Sequence, residues 1–500
     1  MATKSSSSKS SSNKSGTNNK KSSSTTKKSS TQKKIDSFMN DPVKYTNKEV
    51  KKDFKKASKK HPVATTLVIL GVVALVGGAI AGAGYLGFIG SSLSLNGKQN
   101  ITLSTGSEYK EEGSKFTYFF GQDKSNLVTV KYYADEKKTE EIPAISTENK
   151  GKFYATYSVK YQQYSETLTR NITIADTAPL SINVMTLGND EAGDSIYIKA
   201  GETDILIDCG STESSVNTIY NYINQPGRCE DNKLEFAIAT HADQDHIAGY
   251  AGSKTNPSIL ERMECDTFIK FAKSNKTTQV YKTFENQMDK LKTKGSNVYT
   301  AYECAKNLNG AKNIYDIAPG TTMEILYQKF YEEKTNDENN YSVCLLFTQG
   351  SQHYLLTGDL EKEGEASLVE NNNLPHCEFF KANHHGSYTA NSIKLLDTIQ
   401  PETVAISCVA GSDQYTKTDA NKFPAQAAIS NIGLYTDRVF VTSEAIVNED
   451  KETIGFKDMN GVITFYSETG NGYEFHGSNN DINLKDTEWF TKNNRTWPIK

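Results

Sequence analysis

Cysteine is scarce and poorly placed for pairing. Seven occur in 500 residues, all after residue 200, and no Cys-x-x-Cys pair is present. That argues against a cysteine zinc site and a disulfide framework, although one bridge such as Cys265 to Cys304 stays open. Charge is missing altogether from Val63 to Gly90. Apolar residues are almost missing from the first 34 positions, which are Ser, Thr, Asn and Lys. Such a stretch cannot bury a core, so disorder is expected there. A large net charge is missing too, at −4 overall. The total hides an asymmetry. Residues 1–62 carry seventeen lysines against four acidic residues, a net +13, leaving −17 for the rest. An acidic body argues against broad, unassisted binding to nucleic acid, though not against a local basic groove.

What is present divides the chain into parts, as its length requires. Residues 1–62 read as a disordered, Lys/Ser-rich tail, with either a short amphipathic helix or a plain basic linker over 35–62. Residues 63–90 are long and apolar enough for one transmembrane helix. The lysine cluster before it places the N-terminus in the cytoplasm and the remainder outside the cell, anchored to the membrane by that single pass. A cleaved signal peptide is the rival, but the leading region is too long for one. Residues 95–176 alternate β-branched and aromatic residues between turns, over Ile101–Leu103, 126–133, 151–159 and 165–174, which suits a small all-β sandwich. From residue 180 the texture is α/β, with helices expected over 214–224, 279–294 and 423–433.

Histidine is as scarce as cysteine, at eight, but four of the eight fall in two short stretches. After the apolar run Leu234–Ala239 come His241, Asp243, Asp245 and His246 within six residues, and a helical pattern begins at once. Later stand His384-His385-Gly386-Ser387. A polar loop whose aspartates cap a helix would explain one such stretch. Two of them, with Leu356-Thr-Gly-Asp359 between, point instead to divalent metal: imidazole and carboxylate suit zinc, manganese or iron. His241 and Asp243 are placed to reach one ion, and Asp245 and His246 a second. His353 and His376 lie in no motif and read as ordinary surface or core residues.

Gly193-Asp-Ser, Leu206-Ile-Asp-Cys-Gly, Thr240-His-Ala-Asp-Gln-Asp-His, Leu356-Thr-Gly-Asp and His384-His-Gly-Ser together resemble the metallo-β-lactamase superfamily. Within it they are most similar to the ComEC-type branch, the extracytoplasmic hydrolase domain of DNA-uptake proteins. The resemblance covers about residues 181–445 of an α/β domain expected over 180–500. It implies a four-layer αβ/βα sandwich with metal at one end of two facing sheets. It implies His241 and Asp243 on a first ion, Asp245 and His246 on a second, Asp359 on both, and a last histidine from the His384-His385 pair. His384 is assigned as that ligand and His385 as a group acting on the substrate, although the sequence does not say which is which. Two divalent ions follow, zinc first and manganese as the alternative, with a hydroxide between them as the nucleophile and Asp245 or Asp359 orienting it. Asp194 and Asp208 would support the ligands.

Two departures stand out. Relatives place a ligand histidine where this chain has Asn339 and Asn340, either of which could ligate, and a His-Pro where it has Phe423-Pro424. Residues 95–176, through Gly106-Ser-Glu-Tyr109, Gly151-Lys-Phe-Tyr and Arg170-Asn-Ile-Thr-Ile, resemble the Ig-like repeats of bacterial surface proteins, which serve mainly as spacers. The expected function is a membrane-anchored, extracytoplasmic metal-dependent phosphodiesterase, acting on nucleic acid or a cell-wall phosphodiester, with no obligate protein partner. The alternative is a surface-binding protein with a vestigial site.

Overall fold

A computed structural model describes residues 90–106, 109–119 and 121–499. The basic tail and the apolar run expected to span a membrane lie outside them. Among the described residues no helix is long and apolar enough to cross a membrane.

Residues 92–175 are all β, in two sheets. One joins Ser92–Leu95, Ser114–Tyr118 and Gln122–Asp123. The other orders Asn100–Ser104, Tyr164–Ala175, Gly151–Tyr161, Thr129–Tyr133 and Glu141–Ile142, with Asn100–Ser104 parallel to its neighbour and the rest antiparallel. Alternation sets the core: Ala155, Tyr157, Ile172 and Ile174 point inward and are buried. Arg170 is buried too. It is satisfied by the carbonyl of Lys98 at 2.9 Å and by Glu111 at 3.1 Å.

This β module is tied to the α/β part. Lys98 reaches across, its Nζ 3.3 Å from Asp204, 3.2 Å from Glu235 and 3.7 Å from Asp231. Asp204 is fully buried and also takes Lys199 at 3.1 Å and the Tyr197 hydroxyl at 2.5 Å. Each buried carboxylate oxygen thus has cationic or hydroxyl partners, without which its burial would be costly.

The α/β part is built on two eight-stranded sheets. The first runs Asn297–Thr300, Glu264–Lys270, Lys233–Ala239, Thr203–Gly210, Asp194–Ala200, Leu180–Val184, Ile463–Ser467, Glu474–Gly477, the first four parallel to one another. The second runs Ile314–Ala318, Thr321–Leu326, Cys344–Gln349, Gln352–Leu356, Phe379–Lys381, Thr403–Ala410, Arg438–Val447, Thr453–Asp458. Its strands from Gln352 to Arg438 are parallel. The central parallel strands, such as Thr403–Ala410, are near-continuous buried runs, as strands covered on both faces must be, while the outer ones, Glu264–Lys270 and Asn297–Thr300, carry exposed polar positions.

Side-chain alternation separates the layers. Leu345, Phe347, Tyr354, Leu356, Phe379 and Ala405 of the second sheet share one core with Ile196, Ile198, Ile205 and Ile207 of the first. Their neighbours Leu346, Leu355, Phe380 and Val404 face the other way, onto Leu368, Leu395, Leu396 and Ile429 of helices Lys362–Asn371, Ile393–Ile399 and Gln426–Ile432. Helices Ser215–Ile223, Gln244–Ala251 and Gln279–Lys294 cover the first sheet. The result is the expected four-layer αβ/βα arrangement. The helix Gln279–Lys294 shows why these residues fold so. Thr278 caps its start, Phe284, Met288 and Leu291 make one buried stripe, and Gly295 at φ 97° ends it.

The sheets extend past residue 445. Ile463–Ser467 pairs with Leu180–Val184, and Trp489 and Phe490 of the tail are buried against the second sheet's helix layer. All seven cysteines are buried and unpaired, Cys265 and Cys304 included.

Candidate metal centre

In both sheets the loops after the parallel strands meet at one end. Open α/β sheets gather their reactive groups there. His241, Asp243, Asp245 and His246 follow Lys233–Ala239, Asp359 follows Gln352–Leu356, and His385 follows Phe379–Lys381. Asp208 lies near the end of Thr203–Gly210, and Asp194 opens the antiparallel strand beside it. The two sheets touch where Gly358, at φ 55°, turns the chain toward Asp359. A Cβ there would lie 2.7 Å from Cβ of Thr240, so a side chain would push the sheets apart.

Four side chains converge. Asp245, His246, Asp359 and His385 each bring a ligand atom within 4.8 Å of the others. Asp359 Oδ2 is 3.2 Å from His246 Nε2 and 3.1 Å from His385 Nε2, and Asp245 Oδ2 is 3.5 Å from His385 Nε2. The other nitrogen of each ring is engaged. His246 Nδ1 stands 2.7 Å from Asp208 Oδ2, and His385 Nδ1 donates to the carbonyl of Ser407 at 2.8 Å. Asp208 is itself fixed by the backbone N–H and hydroxyl of Thr240, both at 2.7 Å. Rings held at Nδ1 present Nε2 inward, the arrangement by which proteins orient metal-binding histidines. Both Nε2 atoms are buried and make no hydrogen bond; the same holds for Asp359 Oδ1, which faces Lys381, and for His241 Nε2 outside the cluster. Buried polar atoms that converge unsatisfied call for a cation. The donor set fits a divalent metal.

Electrostatics agree. Burial opposes charge on His246 and His385, but Asp359 together with Asp208 or Asp194 overrides it and raises both rings well above the ordinary histidine range. Burial would likewise raise Asp359, yet the two imidazoles hold it well below the usual carboxylate range. A metal would take the place of the protons those rings hold.

His241 and Asp243 form a separate pair, Nε2 to Oδ2 at 3.4 Å. Among the described residues they enter none of the clusters of three or more His, Cys, Asp or Glu ligands. Lys276 Nζ ion-pairs with the other oxygen of Asp243. The asparagines at the position of the family's third histidine are engaged elsewhere. Asn340 Oδ1 accepts from the backbone of Glu361 at 3.2 Å and of Gly364 at 3.1 Å, while Asn339 donates to Glu361 at 3.2 Å.

Of the two adjacent histidines, it is His385 rather than the assigned His384 that lies among the converging donors. His385 is buried in the cluster. His384 is outside it, its Nδ1 3.0 Å from Glu361 Oε1 and its ring 5.7 Å from that of Phe423. Both have left-handed backbone, φ 46° and 53°, in a tight turn that aims neighbouring rings apart. Buried Glu365 pins that turn, accepting from Asn383 at 2.8 Å and from the N–H groups of Asn391 and Ser392 at 2.6 and 2.8 Å.

Three participants were not legible beforehand. Lys381 is fully buried, its Nζ 2.5 Å from Asp194 and 3.7 Å from Asp359. A lysine ending an apolar strand was the only available signal. Lys276 is the second. The third is Tyr415, in an irregular loop, which donates to Asp245 at 3.1 Å while its ring stands 5.6 Å from Phe423. Asp194 and Asp208 are where supporting acceptors were expected.

Over 294 residues the chain is 25% identical to ComE operon protein 3 of Bacillus subtilis, covering 55% of this chain and 33% of that protein. Over 236 residues it is 24% identical to competence protein ComA of Neisseria gonorrhoeae, covering 46% of this chain and 28% of that one. The chain resembles the ComEC-type branch of the metallo-β-lactamase superfamily. It spans about a third of the length of those curated relatives. No family model matches it. Similar solved structures include a metallo-β-lactamase of Cronobacter sakazakii, 13% identical with a TM-score of 0.25 over 42% of this chain and 79% of that one. Another is a protein of unknown function from Enterococcus faecalis, 13% identical with a TM-score of 0.24 over 55% and 79%.

Proposed function

We propose that this chain is an extracytoplasmic, membrane-anchored, metal-dependent hydrolase that cleaves a phosphodiester, in nucleic acid or in a cell-wall polymer. The observation that carries the reading is the convergence of Asp245, His246, Asp359 and His385, with the two buried imidazole Nε2 atoms left without hydrogen bonds. A divalent ion held there, zinc or manganese, supplies Lewis-acid activation of water and of a phosphoryl oxygen.

The protein's own groups do the rest. Asp208 and the Ser407 carbonyl keep two imidazoles aimed inward. Lys381 offsets the charge of Asp194 and Asp359 where no water can. Asp245 is the ligand nearest solvent, and the Tyr415 hydroxyl fixes one of its oxygens. Asp245 thus accepts a proton from attacking water, and His384 and Tyr415 line the approach with Phe423. The carboxylate-rich set favours a hard, anionic phosphoryl substrate over a β-lactam ring.

The test is hydrolysis of bis(p-nitrophenyl) phosphate by the full chain, stripped of metal and resupplied with zinc or manganese. Activity that returns with metal, and is absent from His246→Ala and Asp359→Ala, supports the reading. A second reading, a surface-binding protein with a vestigial site, draws on the asparagines at the third ligand position and on Phe423. It predicts no turnover with any metal.

A further inference from the structure

We propose that this centre works with one ion rather than two, and that two lysine ammonium groups stand in for the second. The inference rests on the metal-dependent reading above and refines it.

Three observations carry it. The cluster of Asp245, His246, Asp359 and His385 is complete for one ion, with four donors of the right type in mutual reach. The other half is not. His241 and Asp243 have no third ligand, because Asn340 Oδ1 is spent on two N–H groups at the start of the helix Lys362–Asn371 and Asn339 is turned to Glu361. Freeing Asn340 would strip acceptors from buried backbone donors, at a cost of roughly 1–3 kcal/mol each.

Next, the carboxylate oxygens a second ion would need already face cations. Asp243 Oδ1 is paired with Lys276. Asp359 turns Oδ2 to the two histidines and leaves Oδ1 opposite Lys381, at 3.7 Å. Lys381 is fully buried, is held 2.5 Å from Asp194, and cannot withdraw to solvent. A second divalent ion between His241 and Asp359 would sit beside the buried ammonium of Lys381, where water is excluded and repulsion is strong, and would also have to displace the half-buried Lys276 from Asp243.

Finally, the lysines account for the surplus of carboxylates. Asp194, Asp243 and Asp359 would be too much negative charge for one divalent ion alone, and each has an ammonium beside it. His241 Nε2 is buried without a hydrogen bond, 3.4 Å from Asp243 Oδ2, but one imidazole and one carboxylate are too few donors to hold a divalent ion.

The experiment counts ions. The full chain is stripped with a chelator, loaded with excess Mn2+, freed of unbound metal by gel filtration, and assayed for metal per chain and for its electron paramagnetic resonance spectrum. The expected result is one Mn2+ per chain with the six-line signal of an isolated ion. Asp243→Asn should keep that stoichiometry, and His385→Ala should lose it. Two ions per chain with a spin-coupled spectrum would overturn the one-ion proposal while leaving the hydrolase reading intact. Loss of the ion in Asp243→Asn but not in His385→Ala would overturn it as well. No bound ion would overturn both. The wild-type count and spectrum decide the matter even if His385→Ala does not fold.

Discussion

The carboxylate of Asp208 stands 2.7 Å from Nδ1 of His246, although the two are 38 residues apart, one near a strand end and the other in the first turn of a helix. Asp208 has left-handed backbone, φ 57°, which turns its side chain toward Thr240 and His246. Asp208 touches no ligand atom facing the ion; it fixes which nitrogen faces inward. Asp208→Ala should therefore lower metal affinity by about 10–100-fold while leaving stoichiometry at saturation unchanged. Isothermal titration of the stripped protein with Zn2+ measures this. An unchanged affinity would remove Asp208 from its supporting role.

His384 and His385 provide a sharper comparison, because they are adjacent and chemically identical. His385→Ala should abolish tight metal binding. His384→Ala should retain the metal and lose activity through weaker substrate engagement, raising KM more than it lowers kcat. Metal content measured beside steady-state kinetics separates the two. Equal metal loss in both variants would contradict the geometry of the turn.

Gly249 sits on the helix Gln244–Ala251, whose first turn carries Asp245 and His246. A Cβ there would lie 2.6 Å from the carbonyl oxygen of Cys209, next to Asp208. Gly249→Ala must push helix from strand, so a loss of about 1–3 kcal/mol in stability is expected together with weaker metal binding. Urea unfolding gives the first quantity. A stable variant with full affinity would show that the helix can shift freely.

Asp337 and Glu361 share a small acidic pocket beside His384. Burial, then the neighbouring Glu361, raises Asp337 to about 6, while Glu361, despite its burial, is lowered to about 2 by His384 and Asp337. The folded state holds the Asp337 proton more tightly than the unfolded chain does. Its contribution to stability is therefore full at low pH and declines as pH rises from about 4 to about 6. Asp337→Asn cannot ionise, and its melting temperature should fall less over that interval than the wild type's. Parallel slopes would refute the assignment.

The sequence announced much of this centre because metal chemistry leaves compact marks. Two histidines and two aspartates in six residues can be read without a structure, and the strand before them and helix after them were legible from periodicity. Asp194 and Asp208 were readable as supports only through the resemblance of Gly193-Asp-Ser and Leu206-Ile-Asp-Cys-Gly to the family's motifs, because by themselves they look like turn-forming aspartates. What could not be read was orientation. His384 and His385 differ only by the twist of a turn set by Glu365, which sits on another helix. Lys381 resembles any lysine closing an apolar strand until Asp194 is found against it. Tyr415 belongs to a loop with no periodic pattern at all. Asn340 looked like a spare ligand, and the structure commits its oxygen to capping backbone.

Lys98 sits among Asp204, Asp231 and Glu235, and Asp204 shares the strand Thr203–Gly210 with Asp208. The two aspartates are four positions apart, roughly 13 Å along an extended strand. The β module is thus a handle rather than a leash. Lys98 therefore fastens the β module to the same strand that carries the partner of His246.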